Sequence, residues 1–65
     1  MKEFIKIKNS KWAPGSNNKM IHEDEEGRLF LGPPLGVEDK TYIVEVSAGR
    51  MEDGYYHIIK VVGKI

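Results

Sequence analysis

The densest set of residues that could bind a metal ion is the run His22-Glu23-Asp24-Glu25-Glu26. One imidazole and several carboxylates are suitable ligands for a divalent cation. Their spacing matches neither the twelve-residue calcium loop nor the helical H-E-x-x-H pattern. Because a run of charges is usually a solvated segment, we interpret it as a hairpin loop and predict no metal site.

The second histidine, His57, is the candidate general base. A catalytic base needs a nucleophile or an orienting partner within hydrogen-bond reach. Nothing in the spacing ties His57 to any of the candidate hydroxyls, which belong to Ser10, Ser16, Thr41 and Ser47. We therefore predict no catalytic residue, no cofactor and a protein that is not an enzyme.

Aromatic and cationic residues alternate near the N-terminus. They are Phe4, Lys6, Lys8, Lys11 and Trp12. Single-stranded nucleic acid is bound by such sets, because bases stack on aromatic rings and phosphates lie near lysines. The chain has ten basic and ten acidic side chains, which argues against a double-stranded DNA binder and weakens any attraction for phosphates. Single-stranded nucleic-acid binding is therefore the alternative hypothesis.

The main element predicted to position these residues is a long β-hairpin. It extends from Tyr42 to Val62 and is closed by a turn at Asp53-Gly54. A two-residue type I′ turn there pairs Val46 with Val61. The predicted inner face contains Tyr42, Val44, Val46, Ala48, Ile59 and Val61, with His57 opposite Arg50 near the turn.

Four larger side chains fall on the outer face of this predicted hairpin: Met51, Tyr56, Ile58 and Val62. A contiguous exposed apolar surface tends to mark an interface, and Tyr and Met are frequent in interface cores. A chain of 65 residues without cysteine has a thin stability margin and no disulfides. We therefore predict a binding module that associates with itself, as a homodimer, or with another protein through this patch.

The rest of the chain predicts three further strands. The segment 2–8 alternates and places Ile5 and Ile7 on one face. The segment 9–19 reads as a long loop that contains a Pro14-Gly15 turn and is held by Trp12. Strands at 20–23 and 28–31 flank a four-residue loop, with Glu23 opposite Arg28.

A break follows at Pro33-Pro34, because proline donates no backbone hydrogen bond. Beyond it, we expect Leu35 and Val37 to enter the core and 37–40 to form at most one helical turn. Five short strands predict a single all-β domain over 1–65. It is a small antiparallel barrel or strongly curled meander sheet, SH3-like or OB-like. No apolar run is long enough to span a membrane, and we expect a cytoplasmic protein.

Overall fold

The computed structural model describes residues 1–36 and 41–65, and all regular structure in them is β-strand. This part of the chain contains six strands in one sheet: β1 (Lys2–Ile5), β2 (Ile7–Trp12), β3 (Met20–Asp24), β4 (Leu29–Gly32), β5 (Tyr42–Val46) and β6 (Tyr56–Lys64). The predicted all-β fold with a C-terminal hairpin is confirmed. The predicted count of five is wrong, because the first strand breaks at Lys6 into β1 and β2.

The sheet is strongly curled, and the strand order requires this. The order is β1-β5-β6-β4-β3-β2, so β1 and β2 lie at opposite edges of the sheet although only Lys6 separates them in the chain. In a flat sheet these edges would be about 24 Å apart, since neighbouring strands are about 4.8 Å apart. The two residue steps from Ile5 to Ile7 span at most about 7 Å, so the two edges must curl towards each other.

One strand pair is parallel, β4 with β6, and the others are antiparallel. If β1 and β2 are counted as one bent strand, the chain forms a three-strand meander followed by a hairpin. The last strand of that hairpin runs parallel to the third strand of the meander. This is the Greek-key order of an OB-like barrel, which corresponds to one of the two predicted alternatives.

Two tight turns, 25–27 between β3 and β4 and 52–54 within the connection from β5 to β6, each have three residues and end in glycine. In each loop, the glycine N–H donates to the carbonyl three residues back: Gly27 to Asp24 at 3.0 Å, and Gly54 to Met51 at 2.9 Å. Only the glycines have positive φ, +82° and +89°, so each loop is a type I turn followed by a left-handed residue. The predicted two-residue and four-residue loops are therefore both wrong. The Pro14-Gly15 turn is confirmed by the hydrogen bond from Ser16 N to Ala13 O at 3.1 Å.

The register of both hairpins differs from the prediction as a result. Glu23 lies opposite Leu29 rather than opposite Arg28. In the C-terminal hairpin, Val46 lies opposite Ile58 and not opposite Val61. Register shifts leave Ile59 and Val62 as extra residues in β6. A β-bulge turns the following side chains towards the other face.

The inner face of the C-terminal hairpin is therefore only partly as predicted. Its β5 residues Tyr42, Val44 and Val46 are buried as predicted. Three other residues predicted to be internal are exposed: Ala48, Ile59 and Val61. Ile58, which was predicted to be external, is buried.

The core lies inside the curled sheet. It contains Ile5, Ile7, Phe30, Tyr42, Val44, Val46 and Ile58. Leu35 packs against this cluster as predicted, whereas Val37 and the predicted helical turn at 37–40 lie outside the described residues. In residues 1–36 and 41–65, no helix is long and apolar enough to cross a membrane.

Candidate functional site

The four residues predicted as the binding patch do not share one surface. Ile58 is a core residue that is only 9% exposed. Tyr56 packs against the core, with its ring centroid 5.5 Å from that of Phe30. Met51 and Val62 are exposed, but Met51 flanks the turn at 52–54 and Val62 lies near the opposite end of β6. The bulges in β6 and the long connection after β5 separate these residues.

The structure instead exposes apolar side chains along β6, at the residue that follows it, and on β1, which is separated from β6 by β5. These are Phe4, Ile59, Val61, Val62 and Ile65. Phe4 is 56% exposed and Ile65 is 71% exposed. Exposed apolar side chains mark an interaction surface only where they are contiguous, so their placement across the strands decides which of them belong together.

A row across three neighbouring strands organises this surface. Phe4 of β1 lies opposite Ile43 of β5, which lies opposite Gly63 of β6. All three face outwards, because the residues on either side of Ile43 are buried. A Cβ atom added at Gly63 would meet no atom within 4 Å, so the outer face of β6 is open at this position. We call Phe4, Ile43, Gly63 and Ile65 the hairpin patch, since Ile65 pairs with Thr41 beside this row.

Charged side chains border the hairpin patch on one side. Lys2, Glu45 and Lys60 form the next outward row across the same three strands. The N-terminal ammonium group of Met1 lies 3.3 Å from Glu45 Oε2. The patch therefore has an apolar centre and a polar border, as interfaces commonly do.

The predicted nucleic-acid set is divided by the bend at Lys6. Phe4 lies on β1 among the hairpin patch, whereas Lys8, Lys11 and Trp12 lie on β2 at the other edge of the sheet. Lys6 Nζ is 3.9 Å from Glu25 Oε1. Trp12 is 55% exposed and lies outside the core cluster, so it does not hold the loop against the core as expected.

A groove of about 250 Å³ lies on the outer face of β2, β3 and β4. Its lining includes Asn9, Lys11, Ile21, Glu23 and Leu29. Asn9 Nδ2 donates to Glu23 Oε1 at 3.3 Å, which places an amide and a carboxylate beside the two apolar side chains. The groove thus offers both apolar surface and hydrogen-bonding groups.

The acidic run is not a simple solvated loop. Asp24 turns inwards and is 2% exposed, and it accepts hydrogen bonds from Arg28 Nε at 2.8 Å and from the backbone N–H groups of Glu26 and Arg28. Arg28 also donates to Glu3 at 2.7 Å and to Glu26 at 3.1 Å. Within the described residues, no group of three or more potential ligands is arranged to hold a metal ion.

The two histidines have partners that the sequence analysis did not assign. His57 Nε2 is 2.7 Å from Asp53 Oδ2. The hydrogen bond from the Tyr55 N–H, followed by the contact with His57, lowers the pKa of Asp53 below its ordinary value of 3.8. His57 therefore lies at the rim of the hairpin loop and not opposite Arg50 on an inner face.

His22 is fully buried between Ser10 and Pro33. Its Nε2 is 2.8 Å from the Pro33 carbonyl oxygen, and its Nδ1 is 2.6 Å from Ser10 Oγ. A carbonyl oxygen only accepts, so Nε2 carries a proton, and in the neutral ring Nδ1 accepts from the Ser10 hydroxyl. Burial lowers the pKa of His22 below 6.5, although the hydrogen bond to Pro33 opposes this effect.

Comparison with protein-family models, with curated proteins and with solved structures finds no match to this chain. The surfaces described above are therefore the basis for a proposed function.

The Ser10–His22 pair and the Phe4–Ile43–Gly63 row both depend on pairing between distant segments. The alternation of Phe4 with Ile5 and Ile7 indicated that Phe4 faces outwards. No pattern within the sequence indicated that Ile43 and Gly63 lie beside it, because strand order determines this contact.

Proposed function

We propose that this domain is a non-enzymatic, cytoplasmic binding module that contacts a protein through the outer face of its C-terminal hairpin. The observation that carries this proposal is the outward-facing apolar row of Phe4 and Ile43, which is bordered on β6 by Gly63, a residue without a side chain. In this proposal the anchor residues are Phe4 and Ile65. They take the place of three residues predicted from the sequence: Met51, Tyr56 and Ile58. Val62, the fourth predicted residue, lies at the edge of the surface. Burying a large exposed aromatic side chain contributes roughly 1.5–3 kcal/mol to association.

A pull-down with a matched control tests this proposal. The tagged wild type, Phe4→Ser and Leu29→Ser are each used on an extract of the cell that makes the protein, and captured proteins are identified by mass spectrometry. Leu29 is an exposed apolar residue on β4, outside the hairpin patch. We expect Phe4→Ser to lose the proteins that both wild type and Leu29→Ser capture. Identical capture by all three would reject the patch.

The strand order favours a second candidate, the binding of single-stranded nucleic acid. OB-like barrels bind oligonucleotides on the face of their second and third strands and on adjacent loops. Here that face is next to β2, which carries the exposed Lys8, Lys11 and Trp12. Phe4 lies on β1 and Lys6 lies between β1 and β2. They would therefore contact only a nucleic-acid strand that continues from β2 past the bend at Lys6.

A fluorescence titration tests this second candidate, since Trp12 is the only tryptophan. Single-stranded DNA or RNA at low salt should quench Trp12 if bases stack on it. Each phosphate neutralised adds about −0.7 to the slope of log K against log salt concentration. The change Lys8→Gln/Lys11→Gln should therefore reduce that slope by about 1.4. If low salt produces no quenching, nucleic acid is not the ligand.

A further inference from the structure

We infer that a pocket at one end of the curled sheet binds an aliphatic ammonium group, such as that of a lysine side chain. The pocket has a volume of about 170 Å³, and we call it the end pocket. Its lining consists of Met1, Glu3, Arg28, Phe30, Val46, residues 47–49 and Tyr56. It shares no residue with the hairpin patch, so the inference does not rest on the proposed function.

The sheet topology places the end pocket where β5 ends and where β1 and β6 begin. Lys2 of β1 lies opposite Glu45 near the end of β5, and the chain continues from there into residues 47–49 of the lining. Tyr56 begins β6 and lies opposite Phe30 of β4. Four strands therefore contribute to the wall of the pocket. The mouth of a β-barrel is a common position for a ligand site.

The size and the rings of the end pocket suit one apolar stem with a charged tip. Pockets for drug-sized ligands have volumes of about 300–1,000 Å³, so this one accepts a group of roughly side-chain size. The ring centroids of Phe30 and Tyr56 are 5.5 Å apart, and Tyr56 is the more accessible of the two rings. The face of an aromatic ring attracts a cation. The guanidinium carbon of Arg28 already lies 5.4 Å from the centroid of the Phe30 ring.

The two cationic groups in the lining are already paired with carboxylates. The ammonium group of Met1 lies 3.3 Å from Glu45 Oε2. The Arg28 guanidinium donates hydrogen bonds to three carboxylates, which belong to Glu3, Asp24 and Glu26. Among these groups the carboxylates outnumber the cations, so an added cation is attracted and an added anion is repelled.

The two tight turns add more carboxylates at the same end of the sheet. Because β4 and β6 are parallel and pair near their first residues, the turns that precede them, 25–27 and 52–54, lie side by side. Four exposed carboxylates belong to these turns: Glu25, Glu26, Glu52 and Asp53. The cations nearby are Lys6, which is 3.9 Å from Glu25, and Arg50 in the connection after β5. An excess of one charge around a cleft raises the local concentration of ligands of the opposite charge.

Glu3 is the carboxylate that lines the end pocket itself, and it is 28% exposed. It is therefore the expected partner of the bound ammonium group, while the stem of the ligand lies along Tyr56 and Val46. A partly buried carboxylate interacts with a cation more strongly than a fully solvated one, because less water screens the two charges. This geometry assigns the charge contact to Glu3 and the apolar contact to the ring.

An NMR titration of the ¹⁵N-labelled domain tests the inference with three compounds: N-acetyl-lysine methylamide, its Nζ-acetylated form and N-acetyl-glutamate methylamide. The lysine compound should shift the backbone amide signals of residues 47–49 and Tyr56 and reach saturation in the millimolar range, as expected for so small a ligand. The acetylated compound is neutral and the glutamate compound is an anion. Both should bind about tenfold more weakly or not at all.

Matched variants locate the charge contact. Glu3→Gln should weaken binding of the lysine compound by about fivefold or more, because it removes the carboxylate in the lining. Glu23→Gln makes the same change of charge on the outer face of β3, outside the end pocket, and should change the affinity by less than about twofold. Phe4→Ser should bind the compound like the wild type, so a failure of the hairpin patch leaves this test unaffected.

Three results would overturn the inference. One is the absence of saturable shifts at residues 47–49 and Tyr56. Another is equal binding of the lysine compound and its acetylated form, or shifts confined to the turns 25–27 and 52–54, since general attraction to the acidic turns produces the latter. The third is tighter binding of the glutamate compound, which would assign the pocket to anions held by Arg28. If Glu3→Gln does not fold, the three compounds on the wild type decide the question alone.

Two sources of an aliphatic ammonium group are a lysine of a protein and a free polyamine. A capped Ala-Lys-Ala tripeptide and spermidine separate them in the same titration. Tighter binding of the tripeptide assigns the end pocket to a lysine within a polypeptide, because the flanking backbone adds contacts. Tighter binding of spermidine assigns it to a free polyamine.

Discussion

At the scale of single residues, hydrogen bonding accounts for the polar side chains that lie in the interior. In the described residues, no buried side-chain nitrogen or oxygen atom lacks a hydrogen-bond partner. One of these buried groups is His22, whose two ring nitrogens contact Ser10 Oγ and the Pro33 carbonyl oxygen. These contacts link β2, β3 and the segment that follows β4, so an imidazole takes the place of an apolar side chain in the interior. Such a group stabilises the fold only while its partners are present.

His22 predicts a pH-dependent stability. Because its pKa is lowered below 6.5 in the folded state, the unfolded chain binds the proton more readily. Its contribution is therefore complete above pH 6.5 and is lost as pH falls from 6.5 towards the folded pKa. Urea unfolding between about pH 8 and pH 5 should show the free energy of unfolding falling within this window.

Two variants test whether His22 causes that pH dependence. His22→Gln should remove the loss below pH 6.5 and cost about 1–3 kcal/mol at neutral pH, since partners are left incompletely satisfied. His57→Gln should retain the loss, because it leaves the buried ring intact. A flat profile in the wild type, or an unchanged slope in His22→Gln, would contradict this role.

At the scale of elements, glycine controls both how strands turn and how closely they pack. Gly27 and Gly54 close the two three-residue loops with positive φ. Gly32 acts differently, because it ends β4 against the core. A Cβ atom there would lie 2.7 Å from Ile58 Cβ and 2.9 Å from Ile58 Cδ1. The Ile58 Cβ is fixed to the backbone, so it cannot move aside without shifting β6.

Gly32→Ala should therefore destabilise the domain by about 1–3 kcal/mol, through overpacking between β4 and β6. Gly49→Ala is the matched control, since a Cβ atom at Gly49 meets nothing within 4 Å. The control should change the free energy of unfolding by less than about 0.5 kcal/mol. The measurement is the urea midpoint of each variant. Equal effects at the two positions would show that the β4–β6 packing tolerates a methyl group.

At the scale of the whole molecule, Arg28 connects the loop between β3 and β4 to β1. Its guanidinium donates to Asp24 at 2.8 Å and to Glu3 at 2.7 Å, and it lies 5.4 Å from the Phe30 ring centroid. Arg28 and Glu3 are each 28% exposed, whereas Asp24 is 3% exposed in its side chain. The ion pairs thus hold the edge strand β1 next to the β3–β4 turn, beside the backbone hydrogen bond from Glu25 N to Lys6 O at 3.1 Å.

Arg28→Met should cost about 2–4 kcal/mol, because it leaves the buried Asp24 carboxylate without its cation. Glu3→Gln should cost less than about 1 kcal/mol, since that pair is partly solvated. Adding Asp24→Asn to Arg28→Met should recover part of the loss, as measured by a double-mutant cycle in urea. Similar losses for Arg28→Met and Glu3→Gln, with no recovery, would show that Asp24 does not depend on Arg28.

The sequence by itself determined the all-β class, the burial of Ile5 and Ile7, the inward β5 residues and the breaks at Pro14-Gly15 and Pro33-Pro34. These features follow from alternation and turn chemistry over a few neighbouring residues. Only the tertiary structure decided the bend at Lys6, the parallel pairing of β4 with β6 and the bulges at Ile59 and Val62. Each bulge moves one residue out of register, and a period of two cannot reveal such a shift. For that reason, Ile58 joined the core and the row of Phe4, Ile43 and Gly63 formed on the surface.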